Sequence, residues 1–573
     1  MPICNYVLAY NKLQLPWLEV EFKVSEISTD LDLFFPLWRP GRYEEGNFMK
    51  NVRGMRFIVD GTKFTPERVS LNHWRITGCE GKTLQVKYQF FAKDLNAGST
   101  HCGEDLFYVN PVNACIYAEQ LKLDPQHVHL DYPQRWDIAG GLPKSENAFD
   151  FVFDSVDHFF DTPFYASSSL KSYQFDLKGV DVNIHMVGNV EPDFLKMRKD
   201  FVGFMAAQMN DMGGFPAKEY HYVYIITDHK AYHGVEHLNS TVIMLGPSAE
   251  LFGEGYESLL GVSSHEFYHS WCVKTIRPTE WMPYEFNKVC PSKLGYIAEG
   301  ITTLMGDLYL LKGNVYDRTW FGNEMGKHFT RYIQNFGRFR MSVADSSYET
   351  WIDGYEKGIP DRKVSIYNEG AILAFIVDYL MRLNSKNQMG LVDLMREMYE
   401  DERILKHGIS EDDWKNYLIK YIPKEGETLF NDFYNGTADY RYYAYEAMFY
   451  NGYAVEEVPV EDFCEAYLGF RVKKVGANYQ VLSVYETSYA SEFGICEGDI
   501  LLSIDGEEVN DEILAKMHEK HRDEIHFHFK HELGERKLMM RANDRVFFKE
   551  AKVELLTMDI KQRQAFNKLI GRN

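Results

Sequence analysis

The stretch Ser264-His265-Glu266-Phe267-Tyr268-His269-Ser270-Trp271 decides how the rest of the chain is read. It is an H-E-x-x-H motif in a segment of helical character, and residues i and i+4 of a helix lie one turn apart on one face. The imidazoles of His265 and His269 therefore reach a single metal ion. Glu266, one position past the first of them, hangs beside that ion as a general base. With 19 histidines in 573 residues, a random chain of this length holds about 0.05 such matches.

Beyond the motif, residues 296–302 form a second helical stretch, which offers Glu299 as a third ligand. Two histidines and one carboxylate leave the fourth position of a tetrahedral zinc open for water, as a catalytic site needs and a structural site does not. The expectation is one Zn2+ per chain, held by His265, His269 and Glu299. Before the motif, residues 220–226 and 240–245 read as strands. Between them, Gly234-Val235-Glu236-His237 reads as a loop or an edge strand. His229, His233 and His237 also fall four apart, but Gly234 and the flanking strands argue against a second helical metal stripe.

At 573 residues the chain is long enough for roughly three or four domains. From the start to about residue 170 the pattern is β. Leu18, Val20, Phe22 and Val24 alternate with Glu19, Glu21 and Lys23, and Leu84, Val86, Tyr88 and Phe90 alternate with Gln85, Lys87 and Gln89. Period two with Gly and Pro punctuation predicts an antiparallel sandwich. Within it, Trp38-Arg39-Pro40-Gly41-Arg42-Tyr43 is a conspicuous turn that reads as a packed corner. From about residue 192 the apolar spacing becomes helical, and helices are expected at 367–380 and 411–421. After about residue 455 short strands return.

The formal net charge is −22, from 62 Lys+Arg against 84 Asp+Glu, with no compensating basic block. Nucleic acid and anionic membrane are excluded as partners on that ground. The start, Met1-Pro2-Ile3-Cys4-Asn5, lacks a basic region followed by an apolar one. The apolar run 371–377 is cut by Asp378 and is too short to span a bilayer. A soluble, cytoplasmic protein is expected. The eight cysteines are scattered with no C-x-x-C pair, which predicts free thiols.

Taken together, these motifs resemble the PDZ-containing glycyl aminopeptidases, a branch of the gluzincin metallopeptidases. The resemblance rests on the W-x-P-G-x-Y turn at 38–43, the G-x-E-H segment at 234–237, and H-E-x-x-H-x-W-x-V-K-x-x-R-P at 265–278. Glu299-Gly300-Ile301-Thr302 supplies the E-G-x-T segment. Tyr467-Leu468-Gly469-Phe470, with Gly498-Asp499 and Ile504-Asp505-Gly506, resembles a PDZ domain. Ser365-Ile366-Tyr367-Asn368-Glu369-Gly370 is similar to an S-Y-Y-x-K-G segment and departs from it at Ile366 and Glu369.

The resemblance implies a multidomain α+β protein. Its parts would be an N-terminal β-sandwich at 1–170, a thermolysin-like, mostly helical zinc peptidase domain at 171–456, and a PDZ-like β domain with a C-terminal tail at 457–573. It implies Glu266 and Tyr367 as catalytic residues, base and oxyanion donor. Gly234 and Glu236 would bind the substrate, with Glu236 meeting its free α-amine. The expected activity is removal of N-terminal residues, small and Gly/Ala-like, from peptides. A peptide C-terminus or extended strand would bind at the PDZ-like domain. Two alternatives remain open: a thermolysin-like zinc endopeptidase, and a catalytically silent PDZ-containing peptide-binding protein.

Overall fold

The computed structural model describes residues 2–355, 358–517 and 524–572. The alternation near the start builds a seven-stranded sheet ordered Asp150–Phe153, Gln126–Asp131, Ile3–Tyr10, Trp17–Ser25, Leu84–Phe91, Val52–Val59 and Thr62–Phe64. Leu18, Val20, Phe22 and Val24 are buried, as are Leu84, Val86, Tyr88 and Phe90. Two four-stranded sheets complete this β-rich unit. One pairing departs from the antiparallel expectation. Ile3–Tyr10 runs parallel to Gln126–Asp131, which the long connection between them permits, since parallel neighbours need a crossover rather than a tight turn.

A second sheet has five strands, ordered Lys171–Leu177, Val180–Gly188, Glu219–Ile226, Ser240–Gly246 and Ala231–Glu236. Its central strands are parallel and read as continuous apolar runs because both faces are covered. Val223, Ile225, Val235 and Val242 on one face pack with Ala97, Tyr108, Ala139 and Tyr165 of the β-rich unit. Tyr220, Tyr222 and Tyr224 on the other face join the helical core. The segment Gly234-Val235-Glu236 lies in the edge strand, antiparallel to Ser240–Gly246.

The helical body is organised around Ile366–Asn384, in which every residue from Ile372 to Leu380 is buried. Asp378, the charge that interrupts this apolar run, pairs with Arg382 at 2.7 Å one helical turn on. Arg382 Nη1 also donates to Asn451 Oδ1 at 3.1 Å and to the Ala565 carbonyl at 3.0 Å, so the buried ion pair is tied to two further elements of the body. Among the described residues, no helix is long and apolar enough to cross a membrane. All eight cysteines are free, and only Cys496 is exposed.

A third core comprises Phe470, Val481, Leu501, Ile504, Phe527 and Phe529, among others, on a six-stranded sheet. It is inserted between two strands, Tyr453–Pro459 and Lys549–Leu555, that pair antiparallel with Pro459 opposite Lys549. The helix that follows, Ile560–Leu569, returns Phe566 and Leu569 to the main core. Residues 549–572 are thus part of the helical body in space, although they follow the third core in sequence.

Candidate metal centre and substrate cleft

The H-E-x-x-H stretch closes the helix Tyr256–Tyr268, with His269 as its C-cap in right-handed geometry. Three tyrosines on one face of a strand, spaced by the period of two, hold this helix. Tyr220 OH donates to the Glu266 carbonyl at 3.2 Å and Tyr222 OH to the Ser263 carbonyl at 3.4 Å, while Tyr224 OH meets Ser263 Oγ at 2.6 Å. From other helices, Gln208 Nε2 donates to the Ser264 carbonyl at 3.0 Å, and Ser264 Oγ to the Gly306 carbonyl at 2.8 Å. The motif is therefore fixed on rigid elements from several sides.

Glu299 lies in a π-helical turn, Tyr296–Ile301, a distortion that recurs at functional sites. That turn packs on Ile366–Asn384 through two glycines. A Cβ built on Gly300 would fall 2.4 Å from Gly370 Cα, and one on Gly370 would fall 2.7 Å from Gly300 Cα. This backbone contact brings Glu299 and Tyr367 to the same place as His265, whose ring centroid is 6.4 Å from that of Tyr367. Tyr367 OH lies 3.2 Å from Tyr355 OH.

Donor atoms of His265, His269 and Glu299 lie within 4.8 Å of one another. The two Nε2 atoms are 2.9 Å apart, and Glu299 Oε2 is 3.6 Å and 3.5 Å from them. Donors about 2.05 Å from a shared tetrahedral zinc stand about 3.3 Å apart, so these three residues fit that ion. His269 Nδ1 is 2.9 Å from the Cys272 carbonyl. It must donate there, which leaves the Nε2 lone pair facing the site.

The electrostatics are those of crowded buried charges. Burial, followed by Glu236 and Glu299, outweighs His269 and Thr241 and pushes the Glu266 carboxyl up to about 8. Burial works against a charged His269, but Glu299 and the other carboxylates outweigh it and raise the imidazole to about 9. Burial would raise Glu299 as well, but His269 and His265 hold it well below the usual carboxylate range. A second cluster adjoins the first: an oxygen each of Glu236 and Glu266 lies within 4.8 Å of a His269 ring nitrogen. Glu236 is buried, and among the described residues no group donates to its Oε1. Gly234 backs Glu266, since a Cβ there would lie 2.1 Å from Glu266 Oε1.

Two family models match this sequence, the Peptidase M61 N-terminal domain over residues 5–168 and M61 glycyl aminopeptidase over residues 258–373. These two stretches carry M61 peptidase domains. The protein is a metallopeptidase, and the second match spans His265, Glu266, His269, Glu299 and Tyr367. The chain is similar across 99% of its length, and 99% of the other chain, to a crystal structure described as an aminopeptidase N family protein from Idiomarina loihiensis, with TM-score 0.90 and 22% identity. An M1 zinc metallopeptidase from Deinococcus radiodurans is similar at TM-score 0.48 and 10% identity, over 76% of this chain and 94% of that one. No curated protein matches the sequence.

The contacts made by several motif residues around the site could not be read from the motifs themselves. The turn at 38–43 is indeed a packed corner, with Trp38 fully buried against Tyr284 and Trp351. It also enters the site. Tyr43 OH donates to Glu299 Oε1 at 2.6 Å, and a Cβ on Gly41 would lie 2.5 Å from Glu236 Oε2. Lys274 and Arg277, the cations of V-K-x-x-R-P, bind the β-rich unit: Lys274 Nζ is 2.7 Å from Asp161 Oδ1 and Arg277 is 3.7 Å from Asp157. His237 also reaches Asp161, at 3.0 Å, which ties it to this clamp. Glu369, the departure from S-Y-Y-x-K-G, accepts from Tyr440 OH.

Proposed function

We propose that this protein is a zinc-dependent aminopeptidase that removes N-terminal residues, small and Gly/Ala-like, from peptides. The observation that carries the reading is Glu236, a buried carboxylate with an oxygen that no group among the described residues satisfies, beside Glu266 and His269. Leaving such an oxygen unpaired costs about 1–3 kcal/mol or more. A substrate α-ammonium supplies the missing charge-assisted hydrogen bond and thereby fixes the first peptide bond at the metal. The preference for small residues is supported by the description of the matched family.

His265, His269 and Glu299 would hold one zinc. When bound, zinc supplies a Lewis acid that acidifies water and polarises the scissile carbonyl. Glu266, which accepts from Thr241 Oγ1 at 3.3 Å, takes the proton of the attacking water and returns it to the leaving amine. The Tyr367 hydroxyl is raised well above its ordinary value by burial and by Glu299. It stays protonated and donates to the developing oxyanion. Ala231–Glu236, at the edge of its sheet, offers unpaired backbone groups along which an extended peptide can lie.

On the same reading, residues 1–170 are the sandwich, 171–456 the catalytic part, and 457–573 the PDZ-like part with a C-terminal tail, of which residues 549–572 pack on the helical body. The PDZ-like part is supported by Phe470–Val475, which follows Tyr467-Leu468-Gly469 and lies at the edge of its sheet, where a peptide strand can add. The deciding assay compares free-amine and N-blocked aminoacyl substrates, with zinc-replete and chelated protein, in wild type and Glu236→Gln. Zinc-dependent turnover of free-amine substrates, weakened in the variant at normal zinc content, is expected. Equal cleavage of N-blocked peptides would make this an endopeptidase, and no cleavage at all would make it a peptide-binding protein.

A further inference from the structure

The two oxygens of Glu299 have different surroundings. Oε2 faces His265 and His269 at 3.6 Å and 3.5 Å, whereas Oε1 accepts a hydrogen bond from Tyr43 OH at 2.6 Å. Tyr43 comes from the β-rich unit, 256 residues away in sequence. It has little freedom there: it is 3% exposed, and its ring stacks on Trp281 with centroids 4.7 Å apart and planes 10° from parallel. Trp281 is itself pinned by a 2.7 Å hydrogen bond from its indole to the Cys290 carbonyl.

We propose that Tyr43 is a positioning residue for the metal, so that the N-terminal β-rich unit completes a site whose three protein ligands all lie in the helical body. The inference rests on the zinc reading given above. A carboxylate that offers one oxygen to a metal can rotate about its last bond or present both oxygens. A donor locked on the second oxygen removes that freedom and keeps Oε2 turned to the imidazoles. The bond is charge-assisted, since a neutral hydroxyl donates to an ionised carboxylate, and such bonds are short and strong. Outer-shell partners of this kind typically change metal affinity or activity 10–100-fold when removed.

The turn that carries Tyr43 is specialised on its other side too. Gly41 has φ +77° and no Cβ where Glu236 Oε2 approaches. A single six-residue turn of the β-rich unit therefore touches both the third metal ligand and the residue proposed to bind the substrate amine. A corner whose role was packing alone would need Trp38 and would gain nothing from a hydroxyl aimed at Glu299.

The test uses the full chain as wild type and Tyr43→Phe, which keeps the ring and its stack on Trp281 and removes only the hydroxyl. Both are stripped of metal, checked for folding by circular dichroism, and titrated with zinc against a chromophoric chelator. Zinc affinity 10–100-fold weaker in Tyr43→Phe is expected, with a correspondingly altered visible spectrum when cobalt replaces zinc. A second variant, Trp281→Leu, keeps the hydroxyl but loosens its seat and should weaken zinc by a smaller factor. Equal zinc affinity in wild type and Tyr43→Phe, whatever the change in melting temperature, overturns the proposal. A folded wild type that does not bind zinc overturns the metal reading beneath it, which the chelator titration of wild type alone reveals.

Discussion

Replacing Gly300 by Ala should lower both stability and turnover, although in an ordinary helix the same change adds about 0.5–1 kcal/mol of stability. The new Cβ would lie 2.4 Å from Gly370 Cα, 2.5 Å from Gly370 C and 2.9 Å from the Ile366 carbonyl oxygen. All three are backbone atoms of a buried helix, so none can swing aside. Carbon atoms rest about 3.5–4.0 Å apart, and the two elements must therefore separate by about 1 Å. Overpacking of this kind costs about 1–3 kcal/mol, which exceeds the helix gain. At about 2–4 °C per kcal/mol for a domain of this order, the melting temperature should fall by several degrees. The same separation moves Glu299 relative to Tyr367, and a misplacement of 1 Å at a reacting centre costs about 10²-fold in rate. Thermal melts and steady-state kinetics of zinc-loaded protein measure both. A variant that melts higher than wild type with unchanged kcat would refute the argument that this glycine contact sets the site.

Glu266→Gln should retain zinc while turnover falls about 10²–10⁴-fold, measured by metal analysis and single-turnover kinetics. Tyr367→Phe should lose about 10²–10³ in kcat with KM little changed; wild-type kcat would remove Tyr367 from the oxyanion role. Asp161→Asn leaves Lys274, whose side chain is fully buried, without its carboxylate, and should cost about 3–5 kcal/mol at pH 7 in a denaturant melt. Burial would raise Asp161, but Lys274 and His237 hold it well below its ordinary value. Its stabilisation is therefore present above about pH 4 and lost as pH falls further, so the variant should show a shallower loss of stability below pH 4. Cutting the chain after Pro459 should unfold the helical body, because Lys549–Leu555 and Ile560–Leu569 go with it. Replacing 461–547 by a short turn should leave a folded, zinc-binding protein, as urea melts and metal analysis would register.

The metal motif was legible because helix geometry turns i, i+4 spacing into proximity without help from the rest of the fold. The β-rich start was legible from alternation, since Leu18, Val20, Phe22 and Val24 can share a face only in a strand. Glu299 was reached by chemistry and resemblance; 30 residues of chain separate it from His269, and a Gly-Gly contact, not periodicity, brings it back. Tyr43 and Asp161 were not legible as site-supporting groups, because their partners lie 256 and 113 positions away and no local pattern encodes such a meeting. The strand tyrosines Tyr220, Tyr222 and Tyr224 were readable as strand, yet only packing shows that their hydroxyls grip the metal helix. Ile3–Tyr10 looked like its antiparallel neighbours, for alternation carries no information about strand direction.

The insertion of the third core between two paired strands also orders events in time. A ribosome makes residues 460–548 before Lys549–Leu555 and Ile560–Leu569, so the small unit can close while the strand Tyr453–Pro459 still lacks its partner and the cavity meant for Phe566 and Leu569 stands open. The buried Arg382 likewise waits for the Ala565 carbonyl. The helix Ile366–Asn384, which carries both Tyr367 and Arg382, is therefore fully seated only after synthesis has passed residue 569. A nascent chain stalled within the third core holds every proposed zinc ligand yet lacks the strand and helix that complete the packing of the helical body.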